Sequence, residues 1–233
     1  MKFLIVIPTL NEHKNIGIIT NKIIKIYKDA NILFIDDQSN DGSKEEIINL
    51  NKKNKKIKYI FRPKKLGIGS AHKLGIKLAK KLKYRYVCTM DCDGTHNPKT
   101  IKAMFKHIRN NDLVLTTRFK NKKSIRGWPI KRIFITHMRF FLVRFLLGTK
   151  LDSSGGFRLY DLKKIKLNDI LLAKANHYNF FWESTFLLEL KKYKHYEVPI
   201  ILPNRTIGAS KMEFKDIING LFYLLLIFVR FRL

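Results

Sequence analysis

Short apolar runs alternate with longer amphipathic segments through the first half of the chain. The runs cover 3–7, 31–35, 57–61, 86–90 and 113–117, and each has the length of a buried parallel strand. The segments between them carry apolar residues at helical spacing and predict helices over 11–27, 43–53, 67–82 and 98–109. Strands that alternate with helices predict an α/β fold, a mostly parallel sheet with helices on both faces.

Polar residues follow three of the predicted strands at the point where each strand ends. They are Pro8-Thr9, Asp36-Asp37 and Asp91-Cys92-Asp93. Ligands of such sheets bind beyond the carboxyl ends of the strands, so we expect these residues to meet in one crevice. The carboxylates of Asp91 and Asp93 are one residue apart and suit Mg²⁺ or Mn²⁺ beside a phosphate. Paired acidic residues are also common in surface turns, so this interpretation depends on the position of the pair at a strand end and on the motifs around it.

Two longer apolar segments mark the second half of the chain. The segment 128–147 is interrupted by four Lys or Arg residues and predicts an amphipathic helix at a bilayer interface, with a core helix as the alternative. A stripe of Phe134, Met138, Phe141 and Phe145 would face the acyl boundary. The segment 217–229 would span about 20 Å as a helix, against about 30 Å of hydrocarbon. We therefore interpret it as an in-plane anchor or a docking helix for a membrane partner.

The chain is strongly basic, with 47 Lys and Arg against 18 Asp and Glu and a net charge of +29. Such a surface attracts nucleic acid, anionic lipid or phosphorylated substrates, although biased composition alone also produces this charge. The two cysteines, Cys88 and Cys92, are too few for a zinc site and predict reduced thiols in a cytosolic environment. The apolar run at the N-terminus ends at Pro8, which is unlike a signal peptide.

Ordered motifs run through nearly the whole chain. They are V-I-P-T-L-N-E at 6–12, I-D-D-Q-S-N-D-G-S at 35–43, K-L-G-I-G-S-A at 65–71, M-D-C-D-G-T-H-N-P at 90–98, T-R-F at 117–119, D-S-S-G-G-F-R-L-Y at 152–160 and R-x-x-G-x-S-K at 205–211. The set resembles the dolichyl- or polyprenyl-phosphate mannosyltransferase branch of family 2 glycosyltransferases. The resemblance implies a glycosyltransferase-A type fold, which is Rossmann-like, with interfacial amphipathic helices added.

The resemblance also implies roles for particular residues. A nucleotide-sugar donor would lie against Pro8, Thr9, Asn11, Glu12, Asp36, Asp37, Asp91, Cys92 and Asp93. Mg²⁺ or Mn²⁺ would be held by Asp91, Asp93 and Thr95. The phosphate of a lipid acceptor would meet Arg118, Arg132, Arg205 and Lys211. The catalytic set would be Asp91, Asp93, Arg118, Arg132 and Arg205.

The expected reaction is an inverting transfer of a hexose onto dolichyl or polyprenyl phosphate. The expected hexose is mannose, and the expected donor is GDP-mannose. The alternatives are a polyprenyl-phosphate glucosyltransferase that uses UDP-glucose and a family 2 transferase that acts on a glycan. A basic nucleic-acid-binding protein is the alternative from another class, but it leaves the ordered carboxylates unexplained, and the sequence has no recognised nucleic-acid module. We expect no nucleic-acid partner.

The expected organisation is a catalytic domain over 1–212, which includes the interfacial segment 128–147, and a membrane-associating or partner-docking helix over 213–233. The expected location is the cytoplasmic face of a membrane, as a peripheral or monotopic protein. A small membrane protein is a candidate partner.

Overall fold

The computed structural model describes residues 2–121, 123–125, 127–203 and 214–232. The strands are β1 (Phe3–Thr9), β2 (Asn31–Asp36), β3 (Ile57–Phe61), β4 (Tyr86–Thr89), β5 (Leu113–Thr117), β6 (Arg158–Asp161) and β7 (His195–Pro199). The helices are α1 (His13–Ile26), α2 (Ser43–Lys53), α3 (Ile68–Lys81), α4 (Thr100–Ile108), α5 (Ile130–Leu147), α6 (Leu167–Leu171), α7 (Asn179–Leu190) and α8 (Phe214–Arg232).

The strands form one sheet in the order β3-β2-β1-β4-β6-β5-β7. All neighbouring pairs are parallel except those of β6, which runs antiparallel to β4 and to β5. The predicted α/β class and the mostly parallel sheet are therefore confirmed. Neither β6 nor β7 was predicted, and neither were α6 and α7.

Helices cover both faces of the sheet, and alternation along β1 separates the two cores. Leu4 and Val6 point to a core shared with α3, α7 and α8, whereas Phe3, Ile5 and Ile7 point to a core shared with α1 and α4. Full burial of each such side chain contributes about 1.5–3 kcal/mol. The two free cysteines, Cys88 and Cys92, are both buried on the second face.

The two long helices of the second half each bury one side and expose an apolar stripe on the other. On α5 the exposed residues are Ile130, Phe134, Met138, Phe141 and Phe145, while Val143 and Leu147 are buried. On α8 the exposed residues are Ile218, Leu221, Phe222, Leu225, Leu226, Val229 and Phe231, while Leu224 and Ile227 are buried. The exposed stripe predicted on α5 is confirmed.

The helices α5 and α8 pack against each other, so the two stripes belong to neighbouring helices. We call these exposed residues the α5–α8 apolar stripes. Among the described residues, no helix combines the length and the apolar character needed to cross a membrane. The predicted boundary between 1–212 and 213–233 falls within 204–213, which the structure does not describe, and stays a prediction.

Candidate active site

A cavity of about 300 Å³ lies beyond the carboxyl ends of β1, β2 and β4. Its walls include Pro8, Thr9 and Glu12 from the β1 end, Asp37 from the β2 end, and Asp91, Cys92 and Asp93 from the β4 end. The predicted convergence of these strand ends on one crevice is confirmed. Two residues of the predicted donor set, Asn11 and Asp36, are not part of the described cavity lining.

Asn11 and Asp36 instead organise the turn that follows β2. Asp36 is fully buried, and its carboxylate accepts hydrogen bonds from the Ser39 amide at 2.9 Å and the Ser39 hydroxyl at 2.5 Å. The side-chain oxygen of Asn11 accepts a hydrogen bond from the Asn40 amide at 3.0 Å. The Glu12 amide donates to the Ser43 hydroxyl at 2.9 Å, which ties the turn to the start of α1. These contacts hold the turn whose neighbours Glu12 and Asp37 form part of the cavity wall.

The Asp37 carboxylate lies on the cavity wall and also holds the loop before α3. It forms an ion pair with Arg62 and accepts hydrogen bonds from the amides of Leu66 at 3.2 Å and Gly67 at 2.9 Å. Burial raises the pKa of Asp37, even though Arg62 and the two amides act in the opposite direction. Gly67 has a φ of +92°, a left-handed conformation that favours glycine. This loop brings Lys65 to the cavity rim.

Asp93 is held rigidly beside the cavity. Its side chain is buried, and its Oδ1 accepts hydrogen bonds from the Thr95 amide at 3.0 Å and the Thr95 hydroxyl at 2.7 Å. Thr95 itself lines a different cavity, together with Gly94, His96 and Asn97. In this arrangement the Thr95 hydroxyl orients Asp93, and its role as a direct metal ligand stays a prediction.

Asp91 is more open than Asp93, with a side chain that is 31% exposed. Its amide donates a hydrogen bond to Nδ1 of His96 at 2.9 Å, and the His96 ring stacks on Phe157. A Cβ placed on Gly156 would lie 3.2 Å from Oδ1 of Asp91. Backbone and neighbouring rings therefore fix the position of Asp91 closely, and His96 supports the strand end.

The two carboxylates suit a divalent cation that is shared with a diphosphate. Both line the cavity, and their oxygen donors are the type that Mg²⁺ and Mn²⁺ prefer. The described residues contain no group of three or more His, Cys, Asp or Glu side chains able to hold a metal. A cation at Asp91 and Asp93 would therefore take its remaining ligands from water and from the phosphates of a substrate.

A group of arginines is linked to this cavity through the segment 152–156. We call Arg118, Arg132 and Arg139, with Asp152 and Ser154, the arginine cluster. Arg118 is buried and gives hydrogen bonds to both carboxylate oxygens of Asp152, at 2.9 Å and 2.6 Å. Burial acts to lower the pKa of Arg118, but Asp152 outweighs it and raises that pKa. Conversely, burial acts to raise the pKa of Asp152, and Arg118 keeps it low.

The other arginines of the cluster and the remaining predicted cations have different positions. Arg132 is exposed on α5, and its guanidinium carbon lies 3.6 Å from the centre of the Trp128 ring. Arg139 gives a hydrogen bond to the Ser154 hydroxyl at 3.3 Å, and burial together with the Arg118 charge lowers its pKa to about 10. Arg205 and Lys211 lie outside the described residues, so their predicted contacts stay predictions.

The segment 152–156 joins the arginine cluster to the carboxylates. Its conformation is held by the fully buried Arg158, which donates to the carbonyls of Ser153 at 2.6 Å and Gly155 at 2.8 Å and to Phe181 at 2.7 Å. One end of the segment carries Asp152, and the other end places Gly156 against Asp91. Arg158 therefore braces the fold at the site and does not face a ligand.

The helix α8 closes one side of the cavity, which the sequence did not indicate. Lys215 and Asp216 lie on the cavity wall together with His177 and Tyr178. Further along α8, the Tyr223 hydroxyl donates to the buried carboxylate of Glu183 at 3.0 Å. The same carboxylate accepts hydrogen bonds from the amides of residues 174 and 175, just before the cavity residues of this loop.

Comparisons with known proteins agree with this architecture. The chain is 27% identical over 91% of its length to undecaprenyl-phosphate mannosyltransferase of Micrococcus luteus, covering 88% of that protein. It is 27% identical over 94% of its length to polyprenol monophosphomannose synthase of Mycolicibacterium smegmatis, covering 84% of it.

Solved structures share the fold at lower identity. Glucosyl-3-phosphoglycerate synthase from Mycobacterium tuberculosis, in complex with Mn²⁺, UDP and phosphoglyceric acid, matches with a TM-score of 0.65 and 15% identity, over 96% of this chain and 78% of that one. The same enzyme with Mn²⁺ and UDP-glucose matches with a TM-score of 0.64. The family model described as glycosyl transferase family 2 matches residues 4–167. The chain belongs to glycosyl transferase family 2.

Proposed function

We propose that this protein transfers a hexose, mannose from GDP-mannose, onto the phosphate of a membrane-bound polyprenol, with inversion at the anomeric carbon. The observation that carries the proposal is the juxtaposition of two sites. A cavity with paired carboxylates adjoins a cluster of arginines, and the segment 152–156 connects them. Two curated relatives over most of the chain are named for mannosyl transfer to polyprenyl phosphates, which supports the same acceptor and sugar.

On the donor side, the cavity would take the nucleotide and the diphosphate. Asp37 and Glu12 supply oxygen acceptors on the wall where we propose the base and ribose, and Lys65 adds a positive charge at the rim. Asp91 and Asp93 would hold Mg²⁺ or Mn²⁺ against the diphosphate. When bound, the cation neutralises charge that develops on the leaving nucleoside diphosphate. Thr95 keeps Asp93 in position for this role.

On the acceptor side, the nucleophile is an oxygen of a phosphate monoester, which is already an anion at neutral pH. That oxygen forms a bond to the anomeric carbon while the bond from this carbon to the β-phosphate oxygen breaks. No proton has to be removed for the attack, so no general base is required. The arginine cluster would position the acceptor phosphate through charge-assisted hydrogen bonds.

The α5–α8 apolar stripes supply a means of reaching a lipid acceptor. Five large apolar side chains on α5 are exposed, among them Phe134 at 66% and Phe145 at 73%. The inward side of the same helix carries Arg139 of the arginine cluster. A helix of this kind lies in the plane of a bilayer with its apolar side in the acyl boundary. We therefore propose peripheral attachment to a membrane surface, which places the polyprenyl phosphate next to the cluster.

A panel of donors and acceptors tests the proposal. Purified protein, Mn²⁺ and polyprenyl phosphate in vesicles would be incubated with GDP-mannose, UDP-glucose and other nucleotide sugars in turn. We expect mannosyl polyprenyl phosphate from GDP-mannose, and no product when the acceptor is the unphosphorylated polyprenol. If product forms only with UDP-glucose, the donor is UDP-glucose and the assignment of GDP-mannose is wrong. Equal transfer to polyprenol or to a glycan would refute the phosphate acceptor.

A metal arm of the same assay tests the carboxylate pair. Activity should disappear in excess chelator and return when Mn²⁺ or Mg²⁺ is restored. Full activity in chelator would contradict the proposed cation at Asp91 and Asp93.

A further inference from the structure

The arginine cluster contains more positive charge than its carboxylate can balance. Arg118 uses both oxygens of Asp152. Within the described residues, Arg139 contacts the Ser154 hydroxyl, which also receives a hydrogen bond from Arg118 and donates one to Asp152. The Nε of Arg139 is shielded from solvent and has no acceptor within the part of the chain that the structure describes.

This arrangement is costly for a group with a merely structural role. Buried charges in folded proteins are normally paired, and an enclosed donor without an acceptor carries a desolvation penalty. The Arg118 charge lies close enough to act on Arg139, and Asp152 offsets it only in part. An apolar side chain of similar length would fill the same space on α5 without either penalty. The surplus charge is therefore explained best by an anion that binds there.

The location restricts which anion this is. Ser154 and Gly156 are two residues apart, so their Cα atoms are separated by at most about 7 Å. Gly156 packs directly against Asp91, at the wall of the donor cavity. An anion that contacts Arg139 would thus lie beside the donor diphosphate, where the attacking group of a transfer reaction has to be.

We infer that Arg139 is an acceptor-binding residue whose guanidinium contacts the phosphate monoester of the lipid acceptor. This inference rests on the proposed function and deepens it. Arg118 would contact the same phosphate from a position that Asp152 holds, while Arg139 supplies a positive charge that the described side chains balance only in part. The phosphate would satisfy Nε and complete the charge balance of the cluster.

Steady-state kinetics of three variants test this role. Arg139→Gln should raise the KM for polyprenyl phosphate by about 10-fold or more, which is the effect of one lost charge-assisted hydrogen bond, and leave the KM for the donor within about 2-fold. Arg139→Lys should recover part of the loss. Arg144→Gln is the matched control, because Arg144 is an exposed arginine of the same helix and the charge change is equal.

The same assay distinguishes other sources of phosphate. An increase confined to the donor KM would assign Arg139 to the donor diphosphate and overturn the inference. A defect that is present with anionic vesicles but absent in neutral detergent micelles would assign it to phospholipid headgroups, and would overturn it as well.

Thermal melting separates binding from a structural role. Arg139→Met should melt within about 2 °C of the wild type or above it, because it removes repulsion and an unpaired donor. Arg118→Met should melt clearly lower, because the buried Asp152 loses its ion-pair partner. A large loss of melting temperature in Arg139→Met would show that this arginine holds the fold, and would sink the inference.

A binding measurement keeps the inference apart from the proposed function. A soluble short-chain isoprenyl phosphate would be titrated calorimetrically into the wild type and into Arg139→Gln without donor. If the wild type transfers no sugar to any polyprenyl phosphate yet binds this probe in an Arg139-dependent way, the reaction is wrong and the phosphate site stands. Equal binding by both proteins, or binding by neither, would remove the site.

Discussion

The two sides of α8 predict opposite effects for two neighbouring leucines. Leu224 is 3% exposed and belongs to the core that lines one face of the sheet, whereas Leu225 is 43% exposed and belongs to the α5–α8 apolar stripes. Leu224→Ala and Leu225→Ala remove the same atoms from adjacent positions of one helix. Any difference between the two variants therefore reports the environment of the side chain and not helix propensity.

The magnitudes follow from burial. A Leu→Ala change in a core costs about 2–5 kcal/mol, and a domain of this size loses about 2–4 °C in melting temperature per kcal/mol. Leu224→Ala should therefore melt roughly 4–20 °C below the wild type in the absence of lipid. Leu225→Ala should change stability by no more than about 0.5 kcal/mol, as exposed substitutions usually do.

Vesicle binding should show the reverse order. If Leu225 inserts its exposed part into a bilayer, its truncation forfeits about 1 kcal/mol of transfer free energy, which is about 5-fold in the partition coefficient. Co-sedimentation with anionic vesicles measures this, with circular dichroism to record melting. Equal melting losses in the two variants would show that α8 is buried on all sides. Unchanged vesicle binding in Leu225→Ala, and in Phe222→Ala as a second stripe variant, would refute the membrane role of this helix.

Three further predictions concern the site and its surroundings. Asp93→Asn should lower turnover by at least about 10³-fold at saturating Mn²⁺ with a melting temperature near that of the wild type, and substantial activity at any Mn²⁺ concentration would contradict the metal role. Gly156→Ala places a methyl group 3.2 Å from Oδ1 of Asp91, so the Mn²⁺ concentration for half-maximal activity should rise about 10-fold, and an unchanged metal dependence would show that the loop yields. Burial between aromatic rings lowers the pKa of His72 to about 3. Below pH 6.5 the unfolded chain therefore binds a proton at His72 that the folded chain does not bind. Stability should therefore fall by about 2.5 kcal/mol between pH 7 and pH 4.5, and urea unfolding of His72→Leu should lose this part of the pH dependence; an identical profile in the variant would assign the acid sensitivity elsewhere.

The first half of the fold could be predicted because its strands are buried on both sides. A strand such as β1 contributes side chains to two cores. Its sequence is therefore a continuous apolar run, which is visible in a single sequence. The ends of these strands then predicted the cavity residues, because parallel strands deliver their carboxyl ends to one edge. Asp91, Asp93 and Asp37 were found in this way, and their positions on one cavity wall follow from topology alone.

The second half lacks these signals for identifiable reasons. The strand β6 begins with Arg158, which is fully buried and donates hydrogen bonds to backbone carbonyls. Its sequence therefore contains no continuous apolar run from which the strand could be predicted. The helix α7 is apolar on almost every side, since it is covered by other helices, and its sequence has no helical period to detect. Likewise Asn11 and Asp36 match the motif of the donor site but bond to the turn behind it, which only the folded geometry reveals.

The direction of β6 explains how one motif comes to serve two sites. Because β6 is antiparallel to β4 and β5, its first residue, Arg158, pairs with Thr89 and with Leu115. The residues that precede β6 therefore lie at the same edge as the residues that follow β4 and β5. The rule that ligand-binding residues follow the carboxyl ends of strands does not identify a segment that precedes a strand. The segment 152–156 precedes β6 and was therefore missed by this rule. Its Gly156 touches the proposed metal ligand Asp91, and its Ser154 touches the arginines, so its length sets the separation between donor and acceptor phosphates.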